Sequence, residues 1–113
     1  MSDERPYLSV IIPSYREADR IGKNLLEIES FLSSKKYTYE ILVVTDGSPD
    51  STPEVARSFA DKVKHLRVIE NRENHGKGYV VRQGLLEAKG DYRVFLDADG
   101  STSITHLDSF LPE

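Results

Sequence analysis

The sequence predicts an α/β protein in which a mostly parallel sheet carries helices on its faces. Apolar residues alternate between short β-branched runs and stripes spaced by three or four, giving the order strand, helix, strand, helix, strand, helix, strand. Most of the strand-like runs end in proline, glycine or aspartate, the residues that terminate strands and build turns. The chain has 113 residues, of which 38% are hydrophobic, and shows no repeat or low-complexity tract. A single domain spanning residues 1–113 is therefore expected.

Residues 7–12 are short, β-branched and stopped by Pro13, which suits a strand buried on both faces. From Glu17 the period changes: Ile21, Leu25, Ile28 and Leu32 place one apolar stripe on a helix running to about Ser34. Residues 39–44 form the second strand, followed by the turn Asp46-Gly47-Ser48-Pro49-Asp50. Ser51 with Glu54 three positions on fits a capping box, and Pro53 falls in the first turn, so a second helix with Val55, Phe59 and Val63 inward is predicted. A third strand covers 66–69. The polar segment 71–78 then leads into a helix with Val81, Leu85 and Ala88 on one side and Gly90 at its end. The fourth strand, 92–96, runs directly into Asp97-Ala98-Asp99-Gly100. Parallel crossovers put these helices on both faces, a Rossmann-like three-layer α/β/α sandwich. The apolar pattern Ile104, Leu107, Phe110, Leu111 breaks off at Pro112 and Glu113, so the chain is expected to be part of a longer domain.

Composition removes several function classes. With 15 Lys and Arg against 19 Asp and Glu, a net charge of −4 offers no global field for nucleic acid, and no nucleic-acid partner is expected. The absence of cysteine excludes disulfide scaffolds, thiol nucleophiles and Cys-ligated metals. No apolar run approaches the roughly 20 residues of a membrane span, and the amino terminus is polar, so a soluble cytoplasmic chain is expected.

In an open parallel sheet, ligands bind beyond the carboxyl ends of the strands. There this chain has Pro13, Tyr15 and Glu17 after the first strand, Asp46 after the second, and Asp97 and Asp99 after the fourth. Alternate carboxylates at a strand end suit a hard divalent cation, Mg2+ or Mn2+, that keeps its other positions for phosphate oxygens; Asp pairs also serve turns and caps. Asp97, Asp99, Ser101, Ser103, Thr105 and Asp108 imitate the oxygen positions of a calcium loop. Thr102 stands where that loop needs glycine, and Asp108 where it has Glu. The same Asp-x-Asp-Gly-Ser run is similar to the first motif of haloacid-dehalogenase-type phosphatases, which leaves a magnesium phosphatase as an alternative. A non-catalytic nucleotide-binding module is another. Asp46 could accept hydrogen bonds from a nucleoside or simply close a turn. Lys77, in Asn74-His75-Gly76-Lys77-Gly78 at a helix start, could face a diphosphate or sit solvated. Neither a phosphate-binding P-loop nor a Gly-x-Ser-x-Gly nucleophile motif is present.

Four segments in this order, LSVIIPSYRE (8–17), EILVVTDGSPDST (40–52), NHGKG (74–78) and DADGST (97–102), together resemble family 2 glycosyltransferases of the GT-A fold, closest to those acting on dolichyl or polyprenyl phosphate. The resemblance implies a truncated GT-A fold and an inverting, metal-dependent transfer of sugar from a UDP- or GDP-sugar. It implies that Pro13, Tyr15, Glu17, Val44 and Asp46 line the nucleoside pocket, and that Asp97, Ala98 and Asp99 hold ribose, diphosphate and cation. It departs from the family at Thr45, where a first acidic residue is usual, and at Arg16, where Asn is frequent. It further implies that this chain is the amino-terminal, donor-binding half, with the catalytic base and acceptor site beyond it and no turnover of its own. The longer parent would meet a lipid-phosphate acceptor at a cytoplasmic membrane face. The sheet edge left open by truncation could support a homodimer.

Overall fold

A computed structural model describes residues 5–96. Four strands, β1 (Leu8–Ser14), β2 (Tyr39–Asp46), β3 (Leu66–Asn71) and β4 (Tyr92–Phe95), alternate with three helices, α1 (Ile21–Ser33), α2 (Thr52–Arg57) and α3 (Lys77–Glu87). All strand pairs are parallel and the sheet order is β3-β2-β1-β4. The chain steps from β1 through β2 to β3, then crosses back to lay β4 on the free side of β1. Such a reversal opens a crevice at the carboxyl ends of the two strands concerned, because their connections leave in opposite directions. Leu96, directly after β4, donates its N–H to the Ile11 carbonyl at 2.9 Å, which brings the chain to that point.

The central strands are buried almost throughout, as parallel strands covered on both faces must be. Period-two alternation splits their side chains between two clusters. Leu8, Val10, Ile12, Ile41 and Val43 pack with Ile21, Leu25, Ile28 and Leu32 of α1 and Ala56 of α2. Ile11, Leu42 and Val44 pack with Val80 of α3 and with Ala88. The expected three layers are present, and the α1 stripe is the one the sequence spacing predicts.

Several local expectations are corrected. The turn of residues 17–20, in which the Glu17 carbonyl takes the N–H groups of Arg20 and Ile21, precedes α1, so the helix opens later than its first acidic residue. The capping box of Ser51 and Glu54 does not form: Ser51 makes no side-chain cap bond, and the Thr52 N–H goes to Asp50 Oδ1 at 3.2 Å. Asp50 instead builds the turn before the helix, its carboxylate accepting the N–H two residues on. The helix α2 stops at Arg57; Pro53 and Ala56 are its buried apolar side chains, and Phe59 and Val63 pack from the turns that follow. Phe59 lies against Gly22, where a Cβ would fall 2.6 Å from ring carbon Cε1. On α3 the inward residues are Val80 and Gly84, with Ala88 just past its end, while Leu85 is only partly buried. The face is rotated because Gly84 lets the helix close on β1: a Cβ there would lie 2.5 Å from Ile11 Cγ2. Gly90 follows the helix instead of ending it and donates its N–H to Ser9 Oγ at 2.8 Å.

The amino-terminal edge of the sheet holds a buried polar network around Glu40, which is 7% exposed. Its Oε2 accepts from the Ser9 hydroxyl at 2.6 Å and the Lys89 N–H at 2.7 Å, and its Oε1 from Arg67 Nη2 at 3.2 Å. Burial alone would raise the Glu40 pKa, but these donors and the Arg67 charge outweigh it and hold the carboxyl below its ordinary 4.5. A carboxyl depressed by folding contributes stability above its unfolded pKa and loses it as pH falls through the folded value. Glu40→Gln is therefore expected to cost about 1–2 kcal/mol at pH 7. The variant and parent stabilities should converge as pH falls through the lowered folded-state value, measured by urea titration across pH.

Candidate functional site

The carboxyl ends of β1 and β2 and the loop before α3 are tied together by side chains from two turns. Asp46 ends β2 on the α3 face of the sheet, following Leu42 and Val44. It is 5% exposed, and both carboxylate oxygens are engaged: Oδ1 accepts from the His75 N–H at 2.7 Å and Oδ2 from the Gly76 N–H at 3.0 Å. The Asp46 carbonyl accepts from Asn74 Nδ2 at 3.1 Å. The Gly47 N–H bonds the Asn71 carbonyl at 2.9 Å. Asn71 pairs with Gln83 of α3 through both side-chain amides, at 2.6 and 3.1 Å. Asp46 is thus the clasp that fixes where α3 begins, and Gly76, at φ 93°, is its N-cap.

A second set of bonds joins the loop after β1 to the loop after β2. The Arg16 N–H donates to Ser48 Oγ at 2.7 Å, the Glu17 N–H to Thr52 Oγ1 at 2.9 Å and the Ala18 N–H to Asp50 Oδ2 at 3.3 Å. Asp50 also takes hydroxyl hydrogens from Thr52 and Ser48. The Thr52 hydroxyl first, then Ser48 and the two main-chain donors, hold its carboxyl down to about 2 against a smaller opposing effect of burial. Asp50 therefore stays ionised and the loop stays stapled across the ordinary pH range. Arg16 sits in the left-handed region at φ 55°, with its guanidinium 5.4 Å from the Tyr15 ring centroid.

These staples bring Pro13, Tyr15, Asp46 and Lys77 of the expected residues to one edge. Pro13 pairs in register with Val44, Tyr15 is exposed in the loop beyond it, and Asp46 clasps the loop that opens onto Lys77, the first residue of α3. Val44 is fully buried among Ile11, Leu42 and Val80, so it underlies the crevice and presents no surface to it. The Glu17 carboxylate turns to Arg20, 2.7 Å away. Asp97, Ala98 and Asp99 lie outside the described residues. Among the described residues no group of three or more His, Asp or Glu is placed to hold a metal ion. Sequence reasoning expected the Asp and Ser of the 46–50 turn to take backbone N–H groups, as Ser48 does from Arg16, but passed over Thr52 and Asn74 as site-builders. The signal was available in the density of short acceptor side chains in 46–52, which compete for nearby backbone N–H groups.

Thr45, where the resemblance expects an acid, is fully buried, and its hydroxyl has no partner among the described residues. An unpaired buried hydroxyl costs about 1–3 kcal/mol. Thr45→Val, nearly isosteric, is expected to raise stability by about 1 kcal/mol in thermal melts.

A parallel sheet reversing beside β1, with its strand-end loops gathered there, is the architecture of GT-A glycosyltransferases. The chain superposes with a TM-score of 0.72 on the mannosyltransferase PcManGT from Pyrobaculum calidifontis in complex with GDP-Man and Mn2+, at 31% identity over 86% of this chain and 28% of that one. Mannosyl-3-phosphoglycerate synthase from Rubrobacter xylanophilus gives 0.75 at 28% identity, over 90% of this chain and 33% of the other. Residues 9–113 match the model of Glycosyl transferase family 2, and the chain belongs to that family. A dolichyl-phosphate beta-glucosyltransferase of Drosophila melanogaster is 44% identical over 108 residues, 89% of this chain and 33% of the relative. The chain thus spans about a third of the length of the curated relatives it matches. The family match does not favour the phosphatase alternative. Among the described residues no helix is long and apolar enough to cross a membrane.

Proposed function

We propose that this chain is the donor-binding portion of a glycosyltransferase that moves a sugar from a UDP- or GDP-sugar to dolichyl or polyprenyl phosphate. The observation that carries the reading is the Asp46 clasp, which joins the end of β2 to the loop that starts α3. It holds the Lys77 end of that helix beside the loops after β1 and β2. A helix amino terminus with a lysine stabilises diphosphate charge, and the Pro13 to Glu17 loop supplies a wall for a nucleoside. The 44% identity to a dolichyl-phosphate glucosyltransferase supports the acceptor class, and the GDP-Man and Mn2+ complex of the neighbour supports the donor and the cation.

In this reading Asp97 and Asp99 would hold Mg2+ or Mn2+, whose charge would offset that of a nucleoside diphosphate leaving group. Pro13 and Tyr15 would wall the nucleoside, Asp46 would act by holding the loop before α3 in place, Ala98 would belong with the two aspartates to the ribose and diphosphate site, and Lys77 would add a point charge. The base and the lipid-phosphate site belong to the remaining two thirds of the parent, which would work at a membrane face. The 113-residue chain binds donor without turning it over.

Thermal melts of the chain with UDP- and GDP-sugars, with and without Mn2+, test this. Saturating donor at about 100 times its Kd stabilises the folded state by roughly 2.7 kcal/mol. A metal-dependent rise is expected with one nucleotide series and is lost in Asp99→Ala. If no nucleotide sugar raises the midpoint at millimolar concentration in either condition, the donor-binding reading is wrong.

A further inference from the structure

The end of the sheet opposite the crevice carries a groove of about 610 Å³ whose lining includes Arg5, Tyr39, Glu40, His65, Arg67 and Lys89. Four of these are cationic or can become so, in a chain whose net charge is −4. The carboxylate in the lining, Glu40, is spent: Ser9, the Lys89 N–H and Arg67 satisfy it and neutralise its charge. Arg5 meets Asp91 only at 3.6 Å, and both side chains are more than half exposed, so solvent screens that pair. The Lys89 ammonium has no carboxylate partner among the described residues. Among the described lining residues, Arg5, Arg67 and Lys89 against Glu40, positive charge is therefore in excess.

Its backbone is also unusual. His65 adopts φ 61°, a left-handed conformation rare outside glycine and associated with functional loops. Its carbonyl accepts the Ile41 N–H at 3.1 Å, and its ring stands edge-on to Tyr39 with centroids 5.9 Å apart. These contacts tie His65 to the start of β2, and it lines the same groove as Lys89.

We propose that this groove is a second binding site, for a phosphate group carried on a lipid headgroup or a soluble ester, separate from the donor crevice. Lys89, Arg5 and His65 offer donors to the phosphate oxygens, and Leu66 and Pro6 beside Tyr39 take the organic part. Arg67 stays on Glu40 and on the Glu87 carbonyl, holding the floor.

Titration of the 113-residue chain with inorganic phosphate, followed by amide NMR, and sedimentation with phosphatidylglycerol or phosphatidylcholine vesicles, test the site. Phosphate is expected to shift the amides of His65, Arg67 and Lys89. The exposed double change His65→Asn with Lys89→Ala should weaken phosphate binding about tenfold, while Lys89→Arg retains it. Asparagine tolerates the left-handed backbone; if the double variant melts early, Lys89→Gln alone repeats the comparison. Phosphate shifts without vesicle binding identify a soluble ester. Sedimentation with phosphatidylglycerol alone, lost in the same variants, identifies a headgroup. Shifts confined to residues 13–17, 46–48 and 74–78, no binding in either arm, or undiminished binding by the variants would overturn the proposal.

Discussion

Asp46→Ala is expected to lower stability by about 3–4 kcal/mol and to release the loop before α3, because it removes one carboxylate that accepts two main-chain N–H groups. Each hydrogen bond to a charged group contributes roughly 1.5–3 kcal/mol, and the two share one acceptor, so their loss is less than additive. Alanine leaves the His75 and Gly76 N–H groups without their acceptor, and water can replace the carboxylate only in part. Asp46→Asn keeps one acceptor oxygen and should lose about half as much. Urea unfolding gives the stabilities. Amide exchange supplies the local signature: His75 and Gly76 should exchange much faster in the alanine variant, while Leu25 and Leu32 of α1 keep their relative protection. Protection unchanged at His75 and Gly76 would show that the clasp does not hold the loop. Donor binding, if the crevice is the nucleotide site, should fall in both variants even at temperatures where each is fully folded.

Much of this fold is legible in the sequence because the strongest physical signals are local. The Ile21, Leu25, Ile28, Leu32 stripe is a period that only a helix satisfies, and the β-branched runs around Ile11 and Val43 are too short and too apolar to be anything but covered strands. The errors arise where tertiary contacts decide. Val81 and Leu85 look like the inward face of α3, yet Gly84 permits an approach to Ile11 that no side chain would, and the helix turns to use it. Ser51 and Glu54 match a capping pattern, but Ser51 makes no cap bond, and the polar contacts at this helix start come from Asp50, which takes the Thr52 N–H. The site is legible in its parts and illegible in its wiring. Asp46 stands out as an acid at a strand end; that its oxygens are consumed by an N–H pair 29 and 30 residues away depends on where the β3 to α3 loop falls. No spacing rule in the sequence reports that. The Asp97 to Asp99 pair remains a sequence expectation, lying outside the described residues.

The second large effect concerns Gly47, next to the clasp. It sits at φ 66°, where any side chain costs about 1–2 kcal/mol. A Cβ would also stand 2.6 Å from the Glu73 carbonyl carbon and against the Asn74 nitrogen. Those are main-chain atoms with no rotamer to yield, and moving them pulls on the Asp46 carboxylate and on the Gly47 N–H bond to Asn71. Gly47→Ala is therefore expected to cost about 3–5 kcal/mol, strain and overlap together. Two nearby glycines separate the causes. Gly76 has φ 93° but open space around its Cβ position, so Gly76→Ala should cost about 1–3 kcal/mol from backbone strain alone. Gly78 lies within α3 with neither positive φ nor a neighbour within 4 Å, and Gly78→Ala should gain up to about 1 kcal/mol of helix stability. Equilibrium unfolding of the three variants gives the ranking directly. Equal losses at Gly47 and Gly76 would mean that the loops do not approach as closely as the Asp46 clasp requires. A gain at Gly78 accompanied by unchanged donor binding would show that the start of α3 can be stiffened without moving Lys77.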